Sequence, residues 1–211
     1  MPESVGAPGF TSQPGSVDAG GSALESGSAP MSVAAPGFES SPESESSPEA
    51  APVIRAMAVS SEGISGGVIA DKYGMRGDQV SGGVPTRSIP VSVADAPEGT
   101  VCYAVSVYDP DSVPLCGYEW AHWLAVNVKS ADIAENASID GADGMVQGKN
   151  DFDSVGYGGP TPPDKAHTYV VTVYALDAEL PAENGFDKGE FAGMIEGHVL
   201  AEARMTGRYD H

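Results

Sequence analysis

Two short stretches hold most of the side chains that could do chemistry. The first is Tyr108-Asp-Pro-Asp-Ser-Val-Pro114, followed by Glu119-Trp-Ala-His-Trp123. The second is Gly156-Tyr-Gly-Gly-Pro-Thr-Pro-Pro163, followed by His167-Thr-Tyr169. Each is a turn rich in Pro, Gly or Asp that runs into a β-forming segment, and each places one His near the start of that segment. Asp109, Asp111, His122 and His167 could work as acid and base, ligate a metal, or recognise a ligand by hydrogen bonds. An Asp beside Pro also has a purely structural use, because its carboxylate accepts backbone N–H groups of the turn. Gly158-Gly159-Pro160 offers backbone donors and rigidity, which can cradle an oxyanion or simply make a tight connection. The spacings argue against catalysis. There is no HxH or HExxH pair for a metal, no GxSxG elbow, and no cysteine with a His beside it. Neither GxGxxG nor GxxxxGK[ST] appears, so no nucleotide-phosphate fingerprint is present. No cofactor is implied.

Those residues need rigid elements behind them. Thr100–Tyr108, Trp120–Val128 and His167–Leu176 are long β-branched and aromatic runs, and they read as the central strands of a sheet. Ile89–Val93 alternates apolar with small or polar residues, as a half-buried strand does. Strand alternation puts Trp120 and His122 on one face and Trp123 on the other. Ala131 to Glu135 suggests a single helical turn. Across residues 187–205 the apolar positions Phe191, Met194, Ile195, Val199, Ala203 and Met205 recur three or four apart, which predicts an amphipathic helix stopped at Gly207. The sum is a mostly β domain with one C-terminal helix.

Composition bounds the partners. The formal net charge is -20, with only 10 Lys and Arg. That balance disfavours nucleic acid and anionic membrane, both of which call for a basic face. Solubility, or adaptation to acid or salt, accounts for it more simply. Residues 1–50 contain twelve Ser, seven Pro and seven acidic residues, and no Lys or Arg. Such a segment cannot bury enough apolar area to offset its ordering entropy, so it reads as a disordered acidic tail ahead of a folded domain at 51–211. Within it Ser4-Val-Gly-Ala-Pro-Gly-Phe10 returns as Ser32-Val-Ala-Ala-Pro-Gly-Phe38, either a local duplication or a docking motif presented twice. Cys102 and Cys116 lack metal-ligand spacing, and two thiols are the expectation over a disulfide. With no secretory signal and no apolar run of membrane length, the expected location is cytoplasmic.

Taken together, these stretches resemble the phosphatidylethanolamine-binding protein family, and most closely its bacterial branch of Raf-kinase-inhibitor-like proteins. The likeness rests on Tyr108–Pro114, Glu119–Asn127, Asn150-Asp-Phe152, Gly156–Pro163, His167-Thr-Tyr169 and Val173–Asp177, in that order, and runs from about residue 53 to 209. It implies a fold of two antiparallel sheets with a C-terminal helix and a small anion-accepting surface pocket. The resemblance places Asp109, His122, Gly159, Pro160 and His167 around that pocket, with Tyr169 nearby, Asp111 anchoring the loop, Tyr118 at the wall and Tyr209 near the rim. It implies a non-enzymatic binder of a small anionic or zwitterionic phosphoryl group, or of a phosphorylated partner. The alternative is a regulator that inhibits a kinase or protease by contact, with a hydrolase ranked last. The oligomeric state stays open, a homodimer included. The sequence departs from the family at Thr168, where an Arg is usual, so one cation beside the pocket is lost. An anion would then lean on the imidazoles, and binding should strengthen below about pH 6.5.

Overall fold

The computed structural model describes residues 56–211, and the chain divides into Met1–Ala50 and Ala51–His211. The expectation of a disordered tail at 1–50 and the β-leaning Val53–Arg55 lie outside the described residues. In chain order the strands are β1 (Ala58–Ser60), β2 (Ile64–Ser65), β3 (Val68–Ile69), β4 (Val80–Ser81), β5 (Val84–Pro85), β6 (Val91–Ala94) and β7 (Cys102–Asp109). A 3-10 turn (Pro110–Ser112) and the short helix α1 (Val113–Cys116) lead to β8 (Trp120–Val128). Then come β9 (Asp132–Ile133), α2 (Ala137–Asp140), β10 (Val146–Gln147), β11 (His167–Leu176), α3 (Lys188–Ile195) and β12 (Val199–Tyr209).

The main sheet has seven strands in the order β10-β8-β7-β11-β12-β3-β2, antiparallel except where β12 meets β3. A three-stranded antiparallel sheet, β1-β6-β9, packs against one of its faces. Val105, Val107, Trp123, Tyr169, Val171 and Val173 from the large sheet meet Ile89, Val91 and Ile133 in the larger core. The opposite face carries Cys102, Ala104, Leu124, Val126 and Leu176, which pack on Phe186 and on Phe191 of α3. The three central strands are therefore buried on both faces, which is why their sequences are apolar throughout instead of alternating. Both cysteines are free, Cys102 buried and Cys116 exposed.

Two expectations change here. The helix predicted over 187–205 ends at Ile195, and residues 199–209 form β12, paired along the length of β11. Burial along β12 alternates residue by residue, with Ala203, Gly207 and Tyr209 inward and Glu202, Arg204 and Arg208 outward. The break falls at Gly197, whose φ of 81° suits a residue without Cβ. The helical turn predicted at Ala131–Glu135 is instead β9, and α2 starts after Asn136.

Candidate functional site

Asp109 closes β7, and the 3-10 turn after it begins at Pro110, whose fixed φ suits that position. The Ser112 hydroxyl ties the turn together. Its oxygen lies 2.6 Å from the Asp109 carbonyl and 2.8 Å from that of Tyr118, and it accepts the Trp120 N–H at 2.9 Å. Asp111 turns outward and accepts the Thr168 N–H at 2.8 Å, so it holds the start of β11 against the turn.

A β-bulge then re-aims β8. Val107 pairs with Trp123 but Tyr108 pairs with Ala121, so His122 is the extra residue. Asp109 pairs with Trp120. Because cross-strand partners share a face, the bulge brings Trp120 to the same side as Trp123, against the simple alternation expected from sequence. His122 is released from the ladder and held by the loop after β10. Its Nδ1–H donates to the Gly158 carbonyl at 2.5 Å, while the Gly158 N–H donates to the His122 carbonyl at 2.8 Å. Asn150-Asp-Phe152 completes this stitching. Asp151 exchanges hydrogen bonds with Ala121, and the Phe152 ring meets His122 and Trp120 edge-on.

These elements enclose a pocket of about 200 Å³. Asp109, His122, His167 and Tyr169 line it, joined by Trp120 and Phe152 on its aromatic side and by Leu115 and Cys116 of α1. His167 is buried between two carboxylates, with Nδ1 2.7 Å from Asp109 Oδ2 and Nε2 2.9 Å from Asp164 Oδ1. Burial opposes its charge, but the two carboxylates outweigh burial and hold its pKa above the ordinary value. His122 is shifted the other way. Burial lowers its pKa, so it is neutral near pH 7, with the proton on Nδ1. Burial also raises the Tyr169 pKa and keeps its hydroxyl protonated. Three buried polar atoms of this wall have no hydrogen-bond partner among the described residues: Asp109 Oδ1, Trp120 Nε1 and Tyr169 OH. Native interiors pair nearly all such atoms with protein or ordered water, so these three stay available to a partner from outside the wall.

Comparison with known proteins shows the family and the fold. The sequence model described as phosphatidylethanolamine-binding protein matches residues 59–210. The chain belongs to that family. Among the relatives of this family member, the uncharacterized protein YxkA of Bacillus subtilis is 40% identical over 150 residues, covering 64% of this chain and 89% of its own. A UPF0098 protein of Chlamydia muridarum is 36% identical and covers 73% and 99%. Two solved structures superpose with a TM-score of 0.64. The putative family homolog CT736 of Chlamydia trachomatis is 33% identical, covering 74% of this chain and 98% of that one. Escherichia coli YbcL, described as a new member of the mammalian family, is 32% identical, covering 74% and 99%.

Within this family member the residues expected at the pocket divide into two groups. Asp109, His122, His167 and Tyr169 come together on its wall. Asp111 stands behind it as a turn anchor. Tyr118 is 44% exposed and stacks on Trp120 from outside, with the Lys188 ammonium over its ring. Gly159 and Pro160 are buried but spend their backbone elsewhere. The Gly159 N–H donates to the Pro85 carbonyl, and the Pro160 carbonyl accepts the Met75 N–H. A Cβ on Gly159 would lie 2.1 Å from the Tyr73 carbonyl oxygen, so close packing is its reason for being glycine. The Gly-Gly-Pro loop thus supplies shape, and the donors come from side chains. Tyr209 does not reach the rim. It is buried, with its hydroxyl on the Arg76 N–H and the Asp71 carbonyl. Sequence reasoning quoted Ser112, Trp120, Phe152, Thr161 and Pro163 within its motifs without assigning them to the pocket, and it missed Leu115, Cys116 and Asp164. The one signal available was Asp164, three residues before His167. Among the described residues no group of three His, Cys, Asp or Glu side chains is arranged to hold a metal ion, and no helix is long and apolar enough to cross a membrane.

Proposed function

We propose that this family member is a non-enzymatic binding protein that takes a small phosphoryl group into the pocket between Asp109 and Trp120. The observation that carries the reading is the set of unpartnered atoms, two of which are donors suited to the oxygens of an oxyanion. Aromatic rings of Trp120, Phe152 and Tyr169 surround them, which leaves room for a short organic substituent. The family description names a phosphoryl-bearing lipid, and the phosphoryl group is the chemistry it shares with this reading. A recognition role fits the histidines better than a catalytic one. Both nitrogens of His167 are held by carboxylates, and Nδ1 of His122 is held by a carbonyl, so neither ring is paired with a nucleophile.

Calorimetric titration with O-phosphoethanolamine tests this reading. Trp120→Phe and Tyr169→Phe each keep the ring and remove one donor, so each should weaken binding about tenfold, the worth of one hydrogen bond of about 1.4 kcal/mol. Undiminished binding in both variants, or no binding to the wild type, would overturn it. A specific observation also favours the protein-contact reading. Val113, Leu115 and Tyr118 are all more than 40% exposed on the turn beside the pocket mouth, an apolar rim that a phosphorylated partner could cover.

A further inference from the structure

The three unpartnered atoms do not all want the same thing. Trp120 Nε1–H can only donate, the Tyr169 hydroxyl can donate, and the remaining oxygen of the Asp109 carboxylate can only accept. Asp109 cannot relieve this internally, because its other oxygen is already taken by His167. His122 adds a second acceptor. With Nδ1–H given to Gly158, its Nε2 carries a lone pair on a ring that lines the cavity.

The charges around the cavity point the same way. Asp109 at the end of β7, Asp111 in the 3-10 turn, Asp151 in the loop after β10 and Asp164 before β11 surround it, and Lys188 pairs with Asp151 outside the wall. Against them the wall carries one imidazolium, His167, whose two N–H groups are both spent. The Cys116 thiol of α1, the Tyr169 hydroxyl and the His122 ring complete the titratable set. A fully ionised oxyanion would bring only acceptors and more negative charge. It would satisfy Trp120 and Tyr169 and leave Asp109 Oδ1 facing another anion.

We propose that the pocket selects a phosphoryl group that keeps one proton, a phosphomonoester monoanion. Two of its oxygens accept from Trp120 Nε1–H and Tyr169 O–H, and its P–OH donates to Asp109 Oδ1. This rests on the phosphoryl reading above and adds the protonation state to it. It excludes phosphodiesters, and therefore intact diacyl phospholipid headgroups, because a diester has no acidic proton left to donate at neutral pH. It also moves the source of pH dependence. The sequence suggested a titrating His, whereas in the structure burial lowers the pKa of His122 and the carboxylates of Asp109 and Asp164 raise that of His167. The proton that matters then belongs to the ligand, whose second ionisation lies near about pH 6.

Calorimetry on the full chain at constant ionic strength, from about pH 5 to about pH 8, separates the cases. The probes are methyl phosphate, dimethyl phosphate and difluoromethylphosphonate, whose second ionisation is more acidic. Affinity for methyl phosphate should fall about tenfold per pH unit above the ligand's own ionisation, as loss of one required proton demands. The midpoint should move to lower pH with the phosphonate, and dimethyl phosphate should not bind. Asp109→Asn keeps an oxygen for His167 and turns the free acceptor into a donor, so this variant should bind the dianion and lose the fall with pH. Methyl phosphate affinity that is flat or rising with pH, a midpoint identical for both titrating ligands, or equal binding of the diester would overturn the proton requirement while leaving the phosphoryl reading in place. No binding of any of the three probes at any pH would overturn both.

Discussion

His167 and His122 lie on one pocket wall and titrate in opposite senses. His167 gains two carboxylates on folding, so its folded pKa is raised. Its stabilising contribution is fully present below the unfolded value of about 6.5 and is lost as pH rises through the folded pKa. His122 is buried as the neutral form, with its folded pKa lowered. Below about pH 6.5 the unfolded chain takes up a proton that the folded ring resists, so this residue destabilises the fold as pH falls. Urea midpoints measured against pH should show both slopes, and His167→Gln should remove the alkaline one. His167→Gln also leaves the buried Asp109 carboxylate without its cation, which costs about 3 kcal/mol. A variant as stable as wild type at pH 6 would contradict the ion pair.

At the level of elements, β12 and α3 show how a sequence pattern can mislead. Phe191, Met194 and Ile195 do lie on a helix, begun by a capping box in which Asp187 accepts the Gly189 and Glu190 N–H groups and Glu190 returns to the Asp187 N–H. Val199 and Ala203 continue the same spacing by coincidence, and Met205, two residues further on, already follows the strand period. The Ala-Glu-Ala-Arg-Met-Thr-Gly-Arg-Tyr run is an alternating strand pattern, but both periods fit so short an apolar set. Pairing with β11 decided between them, because an unpaired β11 edge would expose its backbone groups. Asp187→Ala should cost about 1 kcal/mol, read as a fall in Tm of about 2–4 °C, because it removes the acceptor that caps α3. The β8 bulge is the other decisive element. It was invisible in Trp-Ala-His-Trp, since a bulge is a mismatch between two strands and no single strand encodes it.

For the whole molecule, the family model matches residues 59–210, and the match takes in 99% of both the Chlamydia muridarum relative and YbcL. Removing residues 1–50 should therefore shift Tm by less than about 2 °C and leave phosphoryl affinity within about twofold. A larger loss on either measurement would assign the N-terminal segment to the folded domain or to its pocket. The strongly acidic charge gives the comparison a second use. If the tail repels anionic ligands from a distance, its removal should raise the association rate at low salt, and added salt should abolish the difference.

The sequence alone determined the three central strands, because long β-branched runs buried on both faces have few other solutions. It determined the family too, because six stretches in one order constrain one another. It brought Asp109, His122, His167 and Tyr169 to the pocket through that likeness. Tertiary structure decided the rest. Register made His122 a bulge, close packing against Tyr73 accounted for Gly159, and burial lowered the pKa of His122 while two carboxylates raised that of His167. The pocket's donors and acceptors are the atoms left over once every local hydrogen bond is made. Residues remote in sequence supply those bonds, so the leftover set can be counted only in the folded chain.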